Sequence, residues 1–261
     1  MVNLRTITKA IIPAAGKGTR LLPLTKAIPK ELVPLGRKPV LEHVVDETLA
    51  CGITDILFVI SAEKTAIREH FGDGVAGARF TYAMQKEQKG LADAIYCGRE
   101  FAGDEPFAVA LGDSIIDTPQ TLLPFRRVLD TYANTGAMGV VIAQWTPRAE
   151  VGRYGIVRPK GIIAPSFEID MLVEKPSPED APSEYALAGR YAFSPAIFDY
   201  IERTTRGAGG EYQITDSIDL MLHDGNEVWC VALGEDEVRR DIGTFESYFE
   251  ALAIEMARTA I

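Results

Sequence analysis

The sequence predicts an α/β fold with a Rossmann-like, mostly parallel sheet, helices on both faces and a small mixed β insertion toward the C-terminal half. Apolar runs typical of buried strands alternate with segments of helical periodicity, which indicates βαβ units. A glycine-rich segment, residues 14–23, directly follows the first apolar run. Open α/β sheets bind their ligands at that position, beyond the carboxyl ends of the strands.

The order of these segments gives the individual elements. The predicted strands of the N-terminal half are 8–13, 56–60, 80–84, 107–111 and 138–145, and the predicted helices are 39–51, 64–71 and 91–100. Pro39 suits the first turn of the first helix, and Gly52 ends that helix. After residue 145 the strands become shorter and are separated by turn residues. These strands, 154–157, 168–173 and 186–193, form the predicted insertion.

The last segment carries apolar residues at helical spacing, namely Phe245, Tyr248, Phe249, Leu252 and Met256. This spacing predicts an amphipathic C-terminal helix. We expect its apolar face to pack on the core of the same chain or to form a contact between subunits.

The chain of 261 residues is acidic, with 37 Asp and Glu against 27 Lys and Arg and a formal net charge of −10. This balance argues against nucleic acid as a partner. Charges farther apart than about 8 Å are largely screened, so a local group of cations can still bind a polyanion. No linker or internal repeat divides the sequence, and we expect one domain spanning residues 1–261.

Neither a signal peptide nor a membrane span is expected. Pro13 interrupts the short apolar run near the start, and no other run is long enough to cross a membrane. We therefore expect a cytoplasmic protein with no membrane partner. The three cysteines, Cys51, Cys97 and Cys230, are scattered without metal-ligand spacing. A disulfide framework and a zinc site are not expected.

Residues 14–23 are termed the glycine loop. Glycines allow the backbone to approach a ligand closely, and the cations that follow suit a ligand with several negative charges. The residues of this pattern are Gly16, Gly18, Arg20, Lys26 and Lys30. A dinucleotide fingerprint is excluded because Leu21 occupies the place of the third glycine, and a Walker loop is excluded by the spacing. By itself the pattern also fits a solvated basic loop.

The segment 16–31 resembles the signature of the sugar-1-phosphate nucleotidylyltransferases, Gly-x-Gly-Thr-Arg-x-x-Pro-x-Thr-Lys-x-x-Pro-Lys-Glu. Further motifs similar to those of this family follow in order at 85–94, 110–114, 154–155, 173–176, 188–191, 210–216 and 240–244. The resemblance covers most of the chain. It implies the nucleotide-diphospho-sugar transferase fold, which is GT-A-like.

The resemblance implies a reaction. In that reaction a nucleotidyl group passes in line from UTP to α-D-glucose 1-phosphate with the help of Mg²⁺, giving UDP-glucose and pyrophosphate. Residues 27–31 are most similar to the branch of the family that uses UTP, whereas 111–113 and 241–244 look more like the branch that uses dTTP. The enzyme that forms dTDP-glucose is therefore the alternative. A homo-oligomer, either a dimer or a tetramer, is also expected.

The resemblance also implies the roles of individual residues. The expected nucleotide-binding residues, mainly from the segment 1–145, are Ala14, Ala15, Gly16, Gly18, Thr19, Arg20, Lys30, Gln85 and Gly90. The expected sugar-binding residues, mainly from the segment 146–261, are Gly155, Glu174, Lys175, Gly189 and Tyr191. Asp113 and Asp241 are the expected Mg²⁺ ligands, and the expected catalytic residues are Arg20, Lys30, Asp113, Lys175 and Asp241.

These residue types suit the implied chemistry. The amide of Gln85 offers both a donor and an acceptor to a pyrimidine imide. Mg²⁺ is commonly held by one or two carboxylates together with phosphate oxygens. A phosphate monoester is already an anionic nucleophile, so positioning and charge stabilisation matter more than a general base. The histidines, His43, His70 and His223, lie outside all of these motifs.

Two other classes of protein fit the sequence less well. A catalytically silent sugar-nucleotide sensor is expected to lack the metal carboxylates or the loop cations, and both are present. A nicotinamide-binding dehydrogenase needs a third glycine and an acidic partner for the ribose, and both are missing.

Overall fold

The protein is built around a ten-stranded sheet, and two further pairs of strands lie outside it. The structure, a computed structural model, describes residues 6–259. The strands are β1 (Lys9–Pro13), β2 (Pro34–Leu35), β3 (Lys38–Pro39), β4 (Asp55–Ile60), β5 (Gly74–Val75), β6 (Ala78–Met84), β7 (Phe107–Ala110), β8 (Ser114–Asp117), β9 (Gly139–Trp145), β10 (Gly155–Pro159), β11 (Ser166–Glu174), β12 (Tyr185–Phe193), β13 (Val228–Ala232) and β14 (Val238–Asp241). The α-helices are α1 (Val40–Ala50), α2 (Thr65–Phe71), α3 (Leu91–Tyr96), α4 (Arg99–Ala102), α5 (Pro124–Thr135), α6 (Ile197–Arg203), α7 (Ile214–His223) and α8 (Phe245–Thr259).

The main sheet is mixed rather than mostly parallel. Its strand order is β10-β11-β13-β9-β12-β7-β1-β4-β6-β5. Strands β7, β1, β4 and β6 are parallel, but β12 is antiparallel to both of its neighbours, β7 and β9. Strands β10 and β11, which the sequence assigns to the small mixed β insertion, pair antiparallel and continue the same sheet. The prediction of a mostly parallel sheet is wrong because strand pairing depends on contacts between residues far apart in the chain.

Helices cover both faces of the sheet, as predicted. Ile11 of β1 packs in one apolar cluster with residues of α3, α6 and α7. Its neighbours Ala10 and Ile12 belong to the opposite cluster, which includes residues of α1 and α5. Successive side chains of a strand point to opposite faces. The continuous apolar run of β1 is therefore explained by burial on both sides.

The carboxyl ends of β1, β4, β6 and β7 meet at one edge of the sheet. Strand β1 leads into the glycine loop, β6 leads to Gln85, and β7 is followed closely by Asp113. Backbone hydrogen bonds join the ends of β1 and β6 to the end of β4, since Ala14 N–H donates to Val59 O at 2.8 Å and Gln85 N–H donates to Ile60 O at 2.9 Å. This edge brings together segments that are far apart in sequence.

The predicted helix over 91–100 is in fact two helices, α3 and α4, which are separated by Gly98. A Cβ atom at Gly98 would lie 2.3 Å from Ile11 Cδ1. The chain therefore passes against β1 at a place where no side chain fits. Cys97 and Gly98 lie between the two helices, and helical periodicity does not reveal the tertiary contact of Gly98 with Ile11.

Helix α8 confirms the predicted C-terminal helix. Tyr248 donates its hydroxyl to Pro34 O at 2.9 Å, and Ala251 is buried in a small cluster with Leu35. Phe249, by contrast, is 58% exposed. One side of α8 thus packs on the same chain, as expected. None of the helices within residues 6–259 combines the length and the apolar character that a membrane span requires.

Candidate active site

A cavity of about 490 Å³, termed the first cavity, opens at the carboxyl edge of the parallel strands. The predicted residues that line it are Ala15, Gly16, Gly18, Thr19, Arg20, Lys30, Gln85, Gly90 and Asp113. Gly18 has a φ of 65°, and a Cβ atom there would lie 2.9 Å from Thr25 Cγ2. Thr25 Oγ1 donates to Gly18 O at 2.9 Å. The glycine loop can fold back against Thr25 because position 18 has no side chain.

Gln85 and Gly90 lie together in the wall of the first cavity. Gln85 is 4% exposed, and its Nε2 donates to Asp93 Oδ2 at 2.7 Å and to Gly90 O at 3.2 Å. Because an ionised carboxylate only accepts hydrogen bonds, the contact with Asp93 fixes which end of the amide is the donor. Gly90 has a φ of 124°, and a Cβ atom there would lie 2.5 Å from Tyr212 O. Both residues are therefore held in one arrangement.

Lys30 and Asp113 form an ion pair in the same cavity, and their side chains are only 15% and 22% exposed. Burial by itself lowers the pKa of Lys30, but the carboxylates of Asp113 and Glu31 outweigh it and hold that pKa above its usual range. Burial by itself raises the pKa of Asp113, but the Lys30 ammonium outweighs it and holds that pKa below its usual range. Both groups are therefore charged at neutral pH.

Asp241 comes next to Asp113 through the pairing of β8 with β14. Ser114 lies opposite Asp241 in this antiparallel pair, and Ile242 N–H donates to Asp113 O at 2.9 Å. Two neighbouring carboxylates match the usual protein share of an Mg²⁺ site, in which phosphate and water oxygens complete the coordination. Within residues 6–259 there is no cluster of three or more His, Cys, Asp and Glu side chains suited to a metal. The binding of Mg²⁺ by Asp113 and Asp241, with phosphate oxygens as further ligands, stays a prediction.

A second cavity, of about 400 Å³, adjoins the first. The predicted residues that line it are Gly155, Glu174, Lys175, Tyr191 and Asp241. Thr215 Oγ1 donates to Glu174 Oε2 at 3.0 Å, and Lys175 Nζ lies 3.1 Å from Glu174 Oε1. A Cβ atom at Gly155 would lie 2.5 Å from Thr215 Cγ2. The Glu174 carboxylate is thus held through both oxygens, and Thr215 can approach it closely because position 155 has no side chain.

Lys175 has a left-handed backbone conformation, with a φ of 47°. Its N–H donates to Tyr154 O at 2.9 Å, which holds the residue in this conformation. A positive φ is unusual for a residue with a side chain, and such residues cluster at ligand sites. The side chain of Lys175 is 46% exposed, so its ammonium group is accessible at the second cavity.

The two cavities share some of their lining. Four residues, Arg20, Leu91, Leu111 and Asp113, line both. Two ligands, one in each cavity, would therefore approach each other beside a guanidinium group and a carboxylate. This arrangement suits the transfer of a charged group between two bound molecules.

Two predicted residues, Ala14 and Gly189, do not line either cavity. Ala14 is 1% exposed and lies at the start of the glycine loop. Gly189 is buried with a φ of 80°, and its carbonyl accepts hydrogen bonds from Leu111 N–H and Arg190 Nη1, both at 3.0 Å. A direct contact of either residue with a ligand stays a prediction.

Arg239 lines the second cavity, although no sequence motif singled it out. Its guanidinium carbon lies 4.9 Å from the centre of the Tyr154 ring, and Nη2 lies 3.7 Å from Asp241 Oδ1. Residues two apart in a strand share a face. Arg239 therefore lies on the face of Asp241, whereas Arg240 pairs with Asp117. Because alternate residues of a strand share a face, a predicted strand ending at Asp241 could have identified Arg239 from the sequence.

Comparison with known proteins identifies the family. The sequence model described as nucleotidyl transferase matches residues 9–257. The chain is 40% identical to UTP–glucose-1-phosphate uridylyltransferase 2 of Staphylococcus saprophyticus, over 92% of this chain and 89% of that protein. It is 41% identical to UTP–glucose-1-phosphate uridylyltransferase of Staphylococcus epidermidis, over 84% of this chain and 82% of that protein. A crystal structure of UDP-glucose pyrophosphorylase complexed with UDP-glucose superposes with a TM-score of 0.90 and 31% identity, and covers 97% of this chain and 99% of that one. The chain therefore belongs to the nucleotidyl transferase family.

Proposed function

We propose that this protein transfers the uridylyl group of UTP to α-D-glucose 1-phosphate, which gives UDP-glucose and releases pyrophosphate. The observation that carries the proposal is the pair of cavities that share Arg20 and Asp113. Similarity to proteins named for UTP and glucose 1-phosphate supports the choice of substrates and favours UTP over dTTP.

In this proposal the first cavity binds UTP. The carbonyl oxygen of the Gln85 amide is the acceptor for the uracil imide, since the amide nitrogen already donates to Asp93. Gly90 packs closely against Tyr212 beside Gln85 and forms part of the wall that faces the base in this proposal. The triphosphate follows the glycine loop, where backbone N–H groups and the charges of Arg20 and Lys30 stabilise it.

The second cavity binds glucose 1-phosphate. Glu174 accepts hydrogen bonds from sugar hydroxyls, and Lys175 neutralises the phosphate. The segment 1–145 is then mainly responsible for the nucleotide and the segment 146–261 mainly for the sugar. Strands β7, β1, β4 and β6 are the Rossmann-like portion of a GT-A-like fold in this interpretation.

Asp113 and Asp241 are the residues that would hold Mg²⁺. A bound Mg²⁺ ion supplies positive charge that neutralises phosphate oxygens during transfer. Lys30 pairs with Asp113 in the first cavity, so its ammonium lies beside the carboxylate that would hold Mg²⁺. In this proposal the same ammonium also attracts the UTP phosphates.

The reaction is a direct displacement. An oxygen of the sugar phosphate bonds to the α-phosphorus of UTP, while the bond from that phosphorus to the bridging oxygen of pyrophosphate breaks. The nucleophile is already anionic, so no protein group needs to remove a proton. Arg20 and Lys30 stabilise the negative charge that develops on the leaving pyrophosphate. The high pKa of Lys30 keeps this side chain charged throughout the neutral range.

Pyrophosphate release from UTP, dTTP, CTP, ATP and GTP, each with glucose 1-phosphate and Mg²⁺, tests the proposal. We expect the highest kcat/KM with UTP. A higher kcat/KM with dTTP would instead assign the dTTP reaction. If no nucleotide releases pyrophosphate with any common sugar 1-phosphate, the result would favour the catalytically silent sensor. The homo-oligomeric state and the cytoplasmic location stay predictions of the sequence.

A further inference from the structure

A buried ion pair lies directly behind the glycine loop and has no place in the reaction described above. Lys64 Nζ donates to Glu31 Oε2 at 2.6 Å and to Ala14 O at 2.8 Å. The Lys64 side chain is 9% exposed and that of Glu31 is 1% exposed. Burial lowers the pKa of Lys64 and raises the pKa of Glu31. The Glu31 carboxylate partly offsets the shift at Lys64, and the Lys64 ammonium partly offsets the shift at Glu31. The removal of two charges from water costs free energy, and only close pairing and further hydrogen bonds offset that cost.

The hydrogen bond to Ala14 fixes the start of the glycine loop. Ala14 N–H donates to Val59 O at 2.8 Å, so β4 holds the amide side of this residue. Lys64, which directly precedes α2, holds the carbonyl side. Strand β1 ends at Pro13, and the chain after Ala14 lines the first cavity at Ala15 and Gly16. The position of the Lys64 ammonium therefore sets where the loop backbone begins.

The bond to Glu31 affects the neighbouring Lys30. Glu31 follows Lys30 in sequence and also lines the first cavity, and its carboxylate attracts the Lys30 ammonium. With Lys64 in place, the Glu31 charge is already neutralised, and Lys30 pairs with Asp113. Without Lys64, the buried Glu31 carboxylate would compete with Asp113 and with the UTP phosphates for Lys30.

We propose that Lys64 is a positioning residue for the nucleotide: it holds the glycine loop through Ala14 O and neutralises Glu31, so that Lys30 stays available to the triphosphate. Lys64 does not itself touch the reacting groups in this scheme. The inference rests on the proposed function, because it takes UTP as the ligand of the first cavity. Its specific consequence is that UTP binding depends on Lys64 while glucose 1-phosphate binding does not.

Four variants test this inference: Lys64→Met, Glu31→Gln, the double variant Lys64→Met/Glu31→Gln, and Lys38→Met as a matched control. The ammonium of Lys38 pairs with Asp46 on the surface, and the Lys38 side chain is 45% exposed. Calorimetric titration with UTP alone gives the nucleotide Kd, steady-state kinetics give KM for each substrate, and urea unfolding gives stability.

We expect Lys64→Met to weaken UTP binding by at least about tenfold, the cost of losing a hydrogen bond from a charged donor. KM for glucose 1-phosphate should stay within about twofold, since the hydrogen bonds of Lys64 go to Ala14 and Glu31, neither of which lines the second cavity. The double variant removes both buried charges and should regain stability relative to Lys64→Met. It should still bind UTP at least about fivefold more weakly than Glu31→Gln alone, because the bond to Ala14 O is absent. The control should match the wild type.

The outcomes separate the two proposals. If the wild-type protein neither binds UTP nor releases pyrophosphate, the proposed function fails, and this inference fails with it. If the wild type binds UTP but the double variant binds it as tightly as Glu31→Gln, only the role of Lys64 is overturned. An equal rise of both KM values in proportion to lost stability would reduce Lys64 to a structural residue.

Discussion

Replacement of Asp113 by alanine is the sharpest test of the candidate site, because this carboxylate lines both cavities and pairs with Lys30. The substitution removes one of the two carboxylates proposed for Mg²⁺. A single preorganised electrostatic group typically contributes about a hundredfold or more to the rate. We therefore expect kcat to fall by at least about a hundredfold.

Stability should fall as well, because the substitution leaves the Lys30 ammonium largely buried without its closest partner. Removing one member of a fully buried pair costs about 3–5 kcal/mol. The neighbouring carboxylates of Glu31 and Asp241 still attract Lys30. We therefore expect a smaller loss in the free energy of unfolding, about 2 kcal/mol. Urea unfolding measures this loss, and pyrophosphate release with UTP and glucose 1-phosphate measures the rate.

Asp117→Ala is the matched control for Asp113→Ala. Asp117 lies at the far end of β8 and forms ion pairs with Arg240 and Arg258, but it lines neither cavity. We expect this variant to lose stability and to keep its turnover. Near-normal Mg²⁺-dependent turnover by Asp113→Ala would refute the assignment of Asp113. So would an equal loss of turnover in both variants.

Three further predictions concern single positions. Gly90→Ala should raise KM for UTP at least about tenfold. The left-handed backbone alone costs about 1–2 kcal/mol for a residue with a side chain, and the new Cβ atom would lie 2.5 Å from Tyr212 O. An unchanged KM would contradict this prediction. Thr215→Val removes the 3.0 Å hydrogen bond to Glu174 and should raise KM for glucose 1-phosphate about tenfold, whereas an equal change for UTP would argue against a sugar site. Burial raises the pKa of the Cys51 thiol to about 12, so maleimide at pH 8 should modify it only after unfolding in urea, because the thiolate is the reactive form. Rapid labelling of Cys51 in the native protein would show that the thiol is not buried.

The sequence was most informative where function depends on a short continuous segment. The glycine loop, Gln85 and Asp113 each follow a strand, and a strand needs only a local apolar run to be recognised. Their arrival at one edge of the sheet follows from parallel pairing. The sequence motifs did not indicate Arg239. Its place at the second cavity depends on which face of β14 meets that cavity, and pairing with β8 sets this face.

The sequence by itself determined the α/β class, most of the elements and the family resemblance, because periodicity and motif spacing are local properties of the chain. Only the tertiary structure decided that the sheet is mixed, that Gly98 interrupts the helix over 91–100 and that two cavities share Asp113. It alone revealed that Lys64 reaches Ala14, fifty positions earlier in the chain. Such contacts depend on how distant segments pack, and no local pattern records them.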